Sequence, residues 1–179
     1  MGRKIVLLFM VVGMLGILGL FAWKYQRKSE DVAQIKEQIQ VVPNFWLKSF
    51  DEKTFSVSDF ASGSPLLIIY FNSTCEMCKI ELNALNERFT EFGQINILLA
   101  SSQEREELEG FMDEYPFVSE SNIKVALDEE MKLSAYLGVK SVPSVFCYDS
   151  KGELIANYQG PVKLDILLDK LLDRKKEEK

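Results

Sequence analysis

The chain opens with an apolar run, Ile5 to Trp23, that contains no charged residue. Arg3 and Lys4 precede this run and Lys24 follows it. As a helix, the run is about long enough to cross the hydrocarbon core of a bilayer. It is longer than the apolar core of a typical signal peptide, and no good cleavage site follows it. We therefore expect residues 1–24 to form an uncleaved single-pass membrane anchor; the alternative is a cleaved signal peptide.

Polar residues dominate the next stretch, residues 25–42, and its few apolar positions recur at helical spacing. We interpret it as a short helical or loose tether that ends before Pro43, because a residue that precedes proline resists the helical conformation. Two apolar stretches around a polar centre predict a β-hairpin over residues 45–57. The continuous apolar run Leu66–Phe71 is short, which favours a strand buried on both faces.

A helical period begins in the segment that follows this strand. Its apolar positions step by four and three residues, so they share one face of a helix: Cys78, Leu82, Leu85, Phe89 and Phe92. Thr74 can cap the start of this helix, and Gly93 can end it. The pattern predicts that the helix begins at Cys75, directly after the buried strand.

Strands and helices continue to alternate along the rest of the chain. Further strands are predicted at residues 95–100, 123–127, 145–148 and 153–158, the last two as a hairpin. The helices between and after them are expected to start at a Ser101–Glu104 capping box, at Asp128 and at Pro161. The first of these should run to about Tyr115 and the second to Leu137–Gly138.

This alternation is typical of an α/β domain in which helices cover both faces of a mixed sheet. We place the domain at residues 43–174, followed by a charged tail at residues 175–179. The fold expected for the whole chain is therefore an α/β domain behind one N-terminal transmembrane helix.

Composition excludes several kinds of chemistry. The 21 basic and 27 acidic residues give a net charge of −6 without a basic stripe, so nucleic acid is a poor candidate partner. The chain has no histidine, which removes Ser–His and Cys–His catalysis and mixed Cys/His zinc sites. A single C-x-x-C is too small for a four-thiolate zinc site. We expect neither a metal nor another cofactor.

The candidate chemistry lies in the sequence Cys75-Glu76-Met77-Cys78 at the strand-to-helix junction. Unpaired backbone N–H groups at a helix start favour a thiolate on Cys75. Cys78 lies one turn further on, near enough to close a disulfide. Cys75 would attack a partner disulfide and Cys78 would resolve the mixed disulfide. The third cysteine, Cys147, lies within a predicted strand and is interpreted as a core residue.

Four segments occur in an order that resembles a known family. They are residues 43–47, residues 55–60, the strand that runs into Cys75, and residues 139–144. Together they resemble the thioredoxin superfamily, and within it the membrane-anchored TlpA-like and ResA-like thiol–disulfide oxidoreductases, which are related to AhpC/TSA proteins. The resemblance covers residues 43–172 and implies a thioredoxin-like fold.

The resemblance also implies roles for residues outside the cysteine pair. It implies a cis Val142–Pro143 bond against the disulfide, with the backbone of Val142 pairing with substrate. Glu81 resembles a buried acid that handles protons for the second cysteine; the alternative is a solvated glutamate. The family often has tryptophan before the first cysteine, where this chain has Thr74.

We expect the substrate to contact the residues beside the cysteines. They are Thr74, Glu76, Met77, Val142 and Pro143, with Cys75, Cys78 and Glu81 as the catalytic residues. Met77 and the nearby Ile80 should point outward, where exposed apolar side chains suit a docking protein.

The function expected from these residues is thiol–disulfide exchange on extracytoplasmic protein substrates. The domain would face the outside of a bacterial cytoplasmic membrane, with protein thiols and disulfides and a membrane or periplasmic redox partner as its contacts. Because the C-x-x-C contains Glu76 and no cation to stabilise a thiolate, we expect a reductant more than an oxidant.

Two other activities remain open at this point, and so does a non-catalytic binding module with a stable, unreactive disulfide. One is a peroxiredoxin-related thiol peroxidase, although the threonine that such enzymes have three residues before the cysteine is replaced here by Asn72. The other is a Cu(I)-binding redox chaperone, for which the usual histidine ligand is missing.

Overall fold

The structure, a computed structural model, describes residues 2–172, without the side chains of residues 3–12. The chain divides into two compact units, one up to Gln38 and one from Ile39 onwards. The first unit is a single helix, α1 (Gly2–Gln38), which spans both the expected anchor and most of the expected tether. Within the described part of the chain, no helix is long and apolar enough to cross a membrane. Met1 lies outside that part, as do the side chains of residues 3–12, which make up much of the predicted anchor.

The second unit is built on one seven-stranded sheet with the strand order β2-β1-β5-β4-β3-β6-β7. The strands are β1 (Trp46–Ser49), β2 (Thr54–Ser56), β3 (Leu66–Tyr70), β4 (Asn96–Ser101), β5 (Ile123–Leu127), β6 (Ser144–Tyr148) and β7 (Leu154–Gln159). Strands β3, β4 and β5 are parallel, whereas β1, β2, β6 and β7 pair antiparallel with their neighbours. The mixed sheet and both predicted hairpins are therefore confirmed.

The sequence of β3 explains why this strand lies inside the sheet. It pairs on one side with β4 and on the other with β6, and all five residues are buried, with at most 3% exposure. A strand whose two faces are both covered needs apolar residues at every position rather than at alternate positions. The run Leu66–Tyr70 meets that requirement.

Five helices and two short 3-10 helices accompany the sheet. They are α2 (Val57–Ala61), α3 (Glu76–Arg88), α4 (Arg105–Asp113), α5 (Lys132–Leu137) and α6 (Leu164–Leu171), with 3-10 turns at Phe89–Phe92 and Pro116–Ser119. Helices α3, α4 and α6 pack their apolar faces on alternate strand residues such as Leu67 and Ile69. The intervening residues, such as Ile68, point to the opposite face of the sheet.

The helix ends differ from the prediction at several points. The Ser101–Glu104 capping box is wrong: Ser101 belongs to β4, and the Glu104 side chain makes no capping hydrogen bond. Helix α4 ends at Asp113, before Tyr115, and α6 begins at Leu164 rather than at Pro161. Ser101 is unsuited to a cap because its hydroxyl bonds Gln103 instead.

The end of α5 is set by Gly138, as predicted. Its φ of 64° lies in the left-handed region, where a side chain would meet the following carbonyl. In this conformation the backbone N–H groups after the helix reach the carbonyls of Ser134 and Ala135. Gly138 therefore stops the helix and starts the segment that leads to Pro143.

We predict opposite effects for two glycine-to-alanine substitutions in this domain. Gly138→Ala should lower the free energy of unfolding by about 1 kcal/mol, because alanine is strained at this φ. Gly110→Ala should raise it by about 0.5–1 kcal/mol, since this glycine lies inside α4 and nothing comes within 4 Å of an added Cβ. Urea unfolding of the full-length variants measures both; a stabilising Gly138→Ala would contradict the role given to this residue.

Candidate active site

A short loop, residues 72–74, lies between Phe71, directly after β3, and Cys75, directly before helix α3. Asn72 organises this loop: its carbonyl accepts the Cys75 N–H at 3.1 Å. Its side-chain Oδ1 accepts both the Thr74 N–H, at 2.8 Å, and the Thr74 hydroxyl, at 2.6 Å. The prediction that Thr74 caps α3 is therefore wrong, because its hydroxyl is already engaged by Asn72.

Cys75 itself occupies the N-cap position of α3. Its backbone is extended, with φ −83° and ψ 114°, and its Sγ accepts the Cys78 N–H at 3.4 Å. The sulfur thus takes the place of the oxygen that usually caps a helix, at the end of the helix that attracts negative charge. Cys75 is partly exposed, so a partner molecule can reach it.

The segment before β6 lies against this cysteine. The Val142–Pro143 peptide bond is cis, as the family resemblance implies. The Cys75 thiol donates to the Val142 carbonyl at 3.6 Å. The structure therefore brings Cys75 together with the predicted substrate-binding residue Val142, which is 67 positions away in sequence.

Cys78 differs from Cys75 in its exposure, because it lies on the buried face of α3 and is fully buried in the core. Burial raises the pKa of its thiol to about 12, and the nearby Cys75 and Glu81 add to the rise, while the backbone of Asn72 opposes it. The two thiols are free in this structure. Their unequal exposure separates an accessible sulfur from a protected one.

Glu81 is also buried, with 3% of its surface exposed, so the buried alternative holds and the solvated one does not. Burial raises the pKa of its carboxyl to about 7, and the backbone of Val162 opposes this rise. Neither carboxyl oxygen has a hydrogen-bond partner among the described residues. An acid without such partners keeps its proton more easily and can exchange it near neutral pH.

Cys147 lies on the same side of the sheet as Cys78 and belongs to the same core cluster. It is fully buried in β6. Burial raises the pKa of its thiol to about 12; the charge of Glu81 adds to this rise and that of Lys170 opposes it. Its packing position agrees with the interpretation as a core residue.

The surface around Cys75 carries both apolar and charged side chains. Thr74 and Glu76 are exposed, and Met77 and Ile80 are 44% and 56% exposed. The Lys79 ammonium lies 3.9 Å from the Glu76 carboxylate. The predicted substrate contacts thus surround the accessible sulfur, and their role in binding stays a prediction.

One residue at the site escaped the sequence analysis. Gln103, between β4 and α4, hydrogen-bonds to Ser73 in the loop before Cys75. The two residues are 30 positions apart, and a glutamine after a strand has no pattern that distinguishes it from a surface residue. The contact could have been expected only from the pairing of β3 with β4, because that pairing places the ends of the two strands side by side.

Comparison with known proteins agrees with this geometry. The fold and the matched family define the class: the protein is a thioredoxin-like thiol–disulfide oxidoreductase, as the resemblance implied. The chain belongs to the AhpC/TSA family, whose model matches residues 39–157. No match was found among curated protein sequences.

Solved structures share the fold at low sequence identity. DsbF of Mycobacterium tuberculosis is 18% identical, with 76% of this chain and 96% of that chain covered and a TM-score of 0.64. The exposed lipoprotein thioredoxin of Streptococcus pneumoniae is 26% identical, with coverages of 75% and 99% and a TM-score of 0.56. Peroxiredoxin 6 of Arenicola marina is 13% identical, with coverages of 78% and 73% and a TM-score of 0.65.

The titration of Glu81 predicts a pH dependence of stability. A carboxyl group whose pKa is raised on folding, here from 4.5 to about 7, binds its proton more tightly in the folded protein. As pH rises from about 4.5 to about 7, the unfolded chain loses this proton first. The free energy of unfolding should therefore fall by up to roughly 3 kcal/mol over that window.

The variant Glu81→Gln should remove this decline. Urea unfolding at a series of pH values measures it, with Glu87→Gln, an exposed glutamate of the same helix, as the control. The slope with pH is the informative quantity, because a buried amide also changes stability at every pH. An identical slope in Glu81→Gln and the unmodified protein would contradict the raised pKa.

Proposed function

We propose that the protein reduces disulfides in extracytoplasmic protein substrates through Cys75 and Cys78. The observation that carries this proposal is the unequal placement of the two sulfurs. Cys75 is partly exposed and caps a helix, whereas Cys78 is fully buried one turn further along. A dithiol of this form has one sulfur to meet the substrate and one to release it.

Reduction of a substrate disulfide takes two thiol–disulfide exchanges. The Cys75 thiolate attacks one sulfur of a substrate disulfide, which breaks the substrate S–S bond, forms a mixed disulfide and releases one substrate thiol. The Cys78 sulfur then attacks Cys75, which forms the Cys75–Cys78 disulfide and releases the second substrate thiol. The substrate gains two electrons and two protons, and the protein dithiol loses them. A dithiol redox partner must then reduce the Cys75–Cys78 disulfide.

Glu81 supports the second exchange in this proposal. Cys78 has a pKa raised to about 12, so it is protonated at neutral pH and must lose its proton before it attacks. Glu81, with its pKa raised to about 7, is the nearby group that can accept that proton and pass it to the departing thiolate. This role requires Glu81 to titrate near neutrality, which the unfolding experiment on Glu81→Gln measures.

The substrate would dock on the surface beside Cys75. Met77 and Ile80 offer exposed apolar side chains, and Thr74 and Glu76 flank them. The Val142 carbonyl, which accepts the Cys75 thiol in the free protein, would become available to a substrate backbone once that thiol has reacted. Buried Pro143 holds the carbonyl at this place.

We place the protein at the bacterial cytoplasmic membrane, with residues 1–24 as its anchor and the catalytic domain outside. The apolar run Ile5–Trp23 supports the anchor. The lipoprotein thioredoxin of Streptococcus pneumoniae, described as exposed, supports an extracytoplasmic domain. The redox partner of the protein described here would be a membrane or periplasmic dithiol protein.

A thiol peroxidase is the second candidate, because a peroxiredoxin shares the fold with a TM-score of 0.65. One contact in the structure bears on thiol peroxidase activity. Asn72, at the position where peroxiredoxins have threonine, uses its side-chain oxygen to accept from Thr74. The Asn72 side chain is thus turned to Thr74, and the Cys75 sulfur bonds the Val142 carbonyl and the Cys78 N–H. Consumption of hydrogen peroxide by the reduced protein distinguishes the two activities.

The variant Cys78→Ser should trap the first intermediate. Without the resolving sulfur, the full-length protein mixed with insulin should accumulate a mixed disulfide through Cys75, because only substrate thiols can then reverse the bond. Non-reducing gels with mass spectrometry of the linked peptide identify it. Cys147→Ala should not trap and Cys75→Ser should abolish trapping; a Cys75→Ser variant that traps insulin through Cys78 would reverse the assignment.

The Cys75–Cys78 pair should act as a reductant rather than as a strong oxidant. The one cation within the first turns of α3, Lys79, lies 3.9 Å from Glu76, so its charge is shared with a carboxylate. The reduced form therefore gains little from charge. The reduction potential should lie nearer about −270 mV than about −120 mV. Equilibration of the full-length protein with glutathione buffers measures it, and a midpoint above about −180 mV would contradict the prediction.

A further inference from the structure

Gln103 bonds the backbone N–H and the hydroxyl of Ser73, the residue two positions before Cys75. Its Oε1 accepts the Ser73 backbone N–H at 2.6 Å, and its Nε2 donates to the Ser73 Oγ at 2.9 Å. Both side chains are buried, with 7% and 9% exposure. Buried amides must be fully bonded to avoid a large desolvation cost, so this two-point contact fixes the loop from the inside.

The orientation of the Gln103 amide is itself determined by its neighbours. Nε2 also donates to the Glu107 carboxylate at 2.9 Å, and an amide nitrogen is the only end of the side chain that can do so. The oxygen is thereby directed to the Ser73 N–H. The Ser101 hydroxyl joins the same group: it accepts the Gln103 N–H at 3.2 Å and lies 3.4 Å from Oε1.

The other bonds of the loop are local. The side-chain oxygen of Asn72 accepts from Thr74 and its carbonyl accepts the Cys75 N–H, so these bonds to nearby residues shape the loop without tying it to β4. The bond of the Phe71 N–H to Ala100, at 2.9 Å, ends the pairing of β3 with β4. Beyond that point, Gln103 provides the connection between the loop and the end of β4.

We propose that Gln103 is a positioning residue for Cys75. It fixes the loop so that the Cys75 sulfur stays at the start of α3, within reach of the Cys78 N–H and the Val142 carbonyl, and Glu107 sets the orientation in which it does so. The inference rests on the proposed exchange through Cys75 and adds a specific support for it. Gln103 itself touches neither sulfur nor substrate.

Five variants distinguish a positioning role of Gln103 from a general contribution to stability. Gln103→Ala removes the contact. Gln103→Glu keeps an acceptor for the Ser73 N–H but places two carboxylates together. The double variant Gln103→Glu/Glu107→Gln exchanges the amide and the carboxylate and restores a donor between them. Glu107→Gln alone keeps an acceptor for the Gln103 amide. Asn122→Ala removes two amide-to-carbonyl bonds, to Phe92 and Ile95, at the opposite end of the parallel strands.

The measurement is the second-order rate constant for oxidation of the reduced full-length protein by oxidised glutathione, below the unfolding temperature of every variant. Gln103→Ala and Gln103→Glu should react at least about fivefold more slowly, the factor that corresponds to loss of one buried hydrogen bond. The double variant, Glu107→Gln and Asn122→Ala should stay within about twofold of the unmodified protein. Urea unfolding of each variant records the accompanying loss of stability.

Each outcome decides the proposal. Rescue of the rate in the double variant, with Asn122→Ala unaffected at a comparable loss of stability, supports it. A normal rate in Gln103→Ala, an equal loss in Asn122→Ala, or a double variant as slow as Gln103→Glu overturns it. If Gln103→Ala does not fold, the comparison of Gln103→Glu with the double variant decides. Failure of the unmodified protein to react at all would instead contradict the proposed exchange.

Discussion

Complete burial of strand β3 is the constraint on which the site depends. Its five residues are covered on both faces and paired on both sides, so the position of its last residue is fixed relative to the whole sheet. Only residues 71–75 separate the end of this strand from the start of helix α3. Cys75 is therefore placed by the sheet on one side and by the start of a helix on the other, with little freedom of its own.

The same junction gives the two sulfurs different surroundings within one helical turn. The N-cap position lies outside the helix and meets its unpaired N–H groups, whereas the position three residues later points into the core. Cys75 and Cys78 occupy these two positions. One turn further along the same buried stripe, Glu81 receives its raised pKa from the same burial. The unequal chemistry of the three residues thus follows from helix geometry and from the apolar sheet beneath.

The predictions from sequence succeeded where a repeating pattern was long. The buried run of β3 and the stripe through Cys78, Leu82 and Leu85 each require one kind of burial over many residues, so both the elements and their buried faces could be predicted. Helix ends depend on single hydrogen bonds. Thr74 and Ser101 have the side chains of good caps, but Asn72 and Gln103 engage their hydroxyls instead.

Contacts between distant residues were the least accessible from sequence. The cis bond before Pro143 came only from family resemblance, since most X–Pro bonds are trans. The sequence does not decide whether Glu81 is buried, because its position on the flank of the stripe suits either environment. The bonds of Gln103 to Ser73 depend on the register of β3 with β4, which no local pattern contains.

The presence of Thr74 where related proteins often have tryptophan has a practical consequence for observing this protein. From Ile39 onwards the chain has a single tryptophan, Trp46, which is 66% exposed and lies in β1, separated from β3 by β5 and β4. No indole of this domain adjoins the sulfurs, so its intrinsic fluorescence carries no direct optical signal of their oxidation. Position 74, exposed and next to Cys75, is where an introduced fluorophore would supply one.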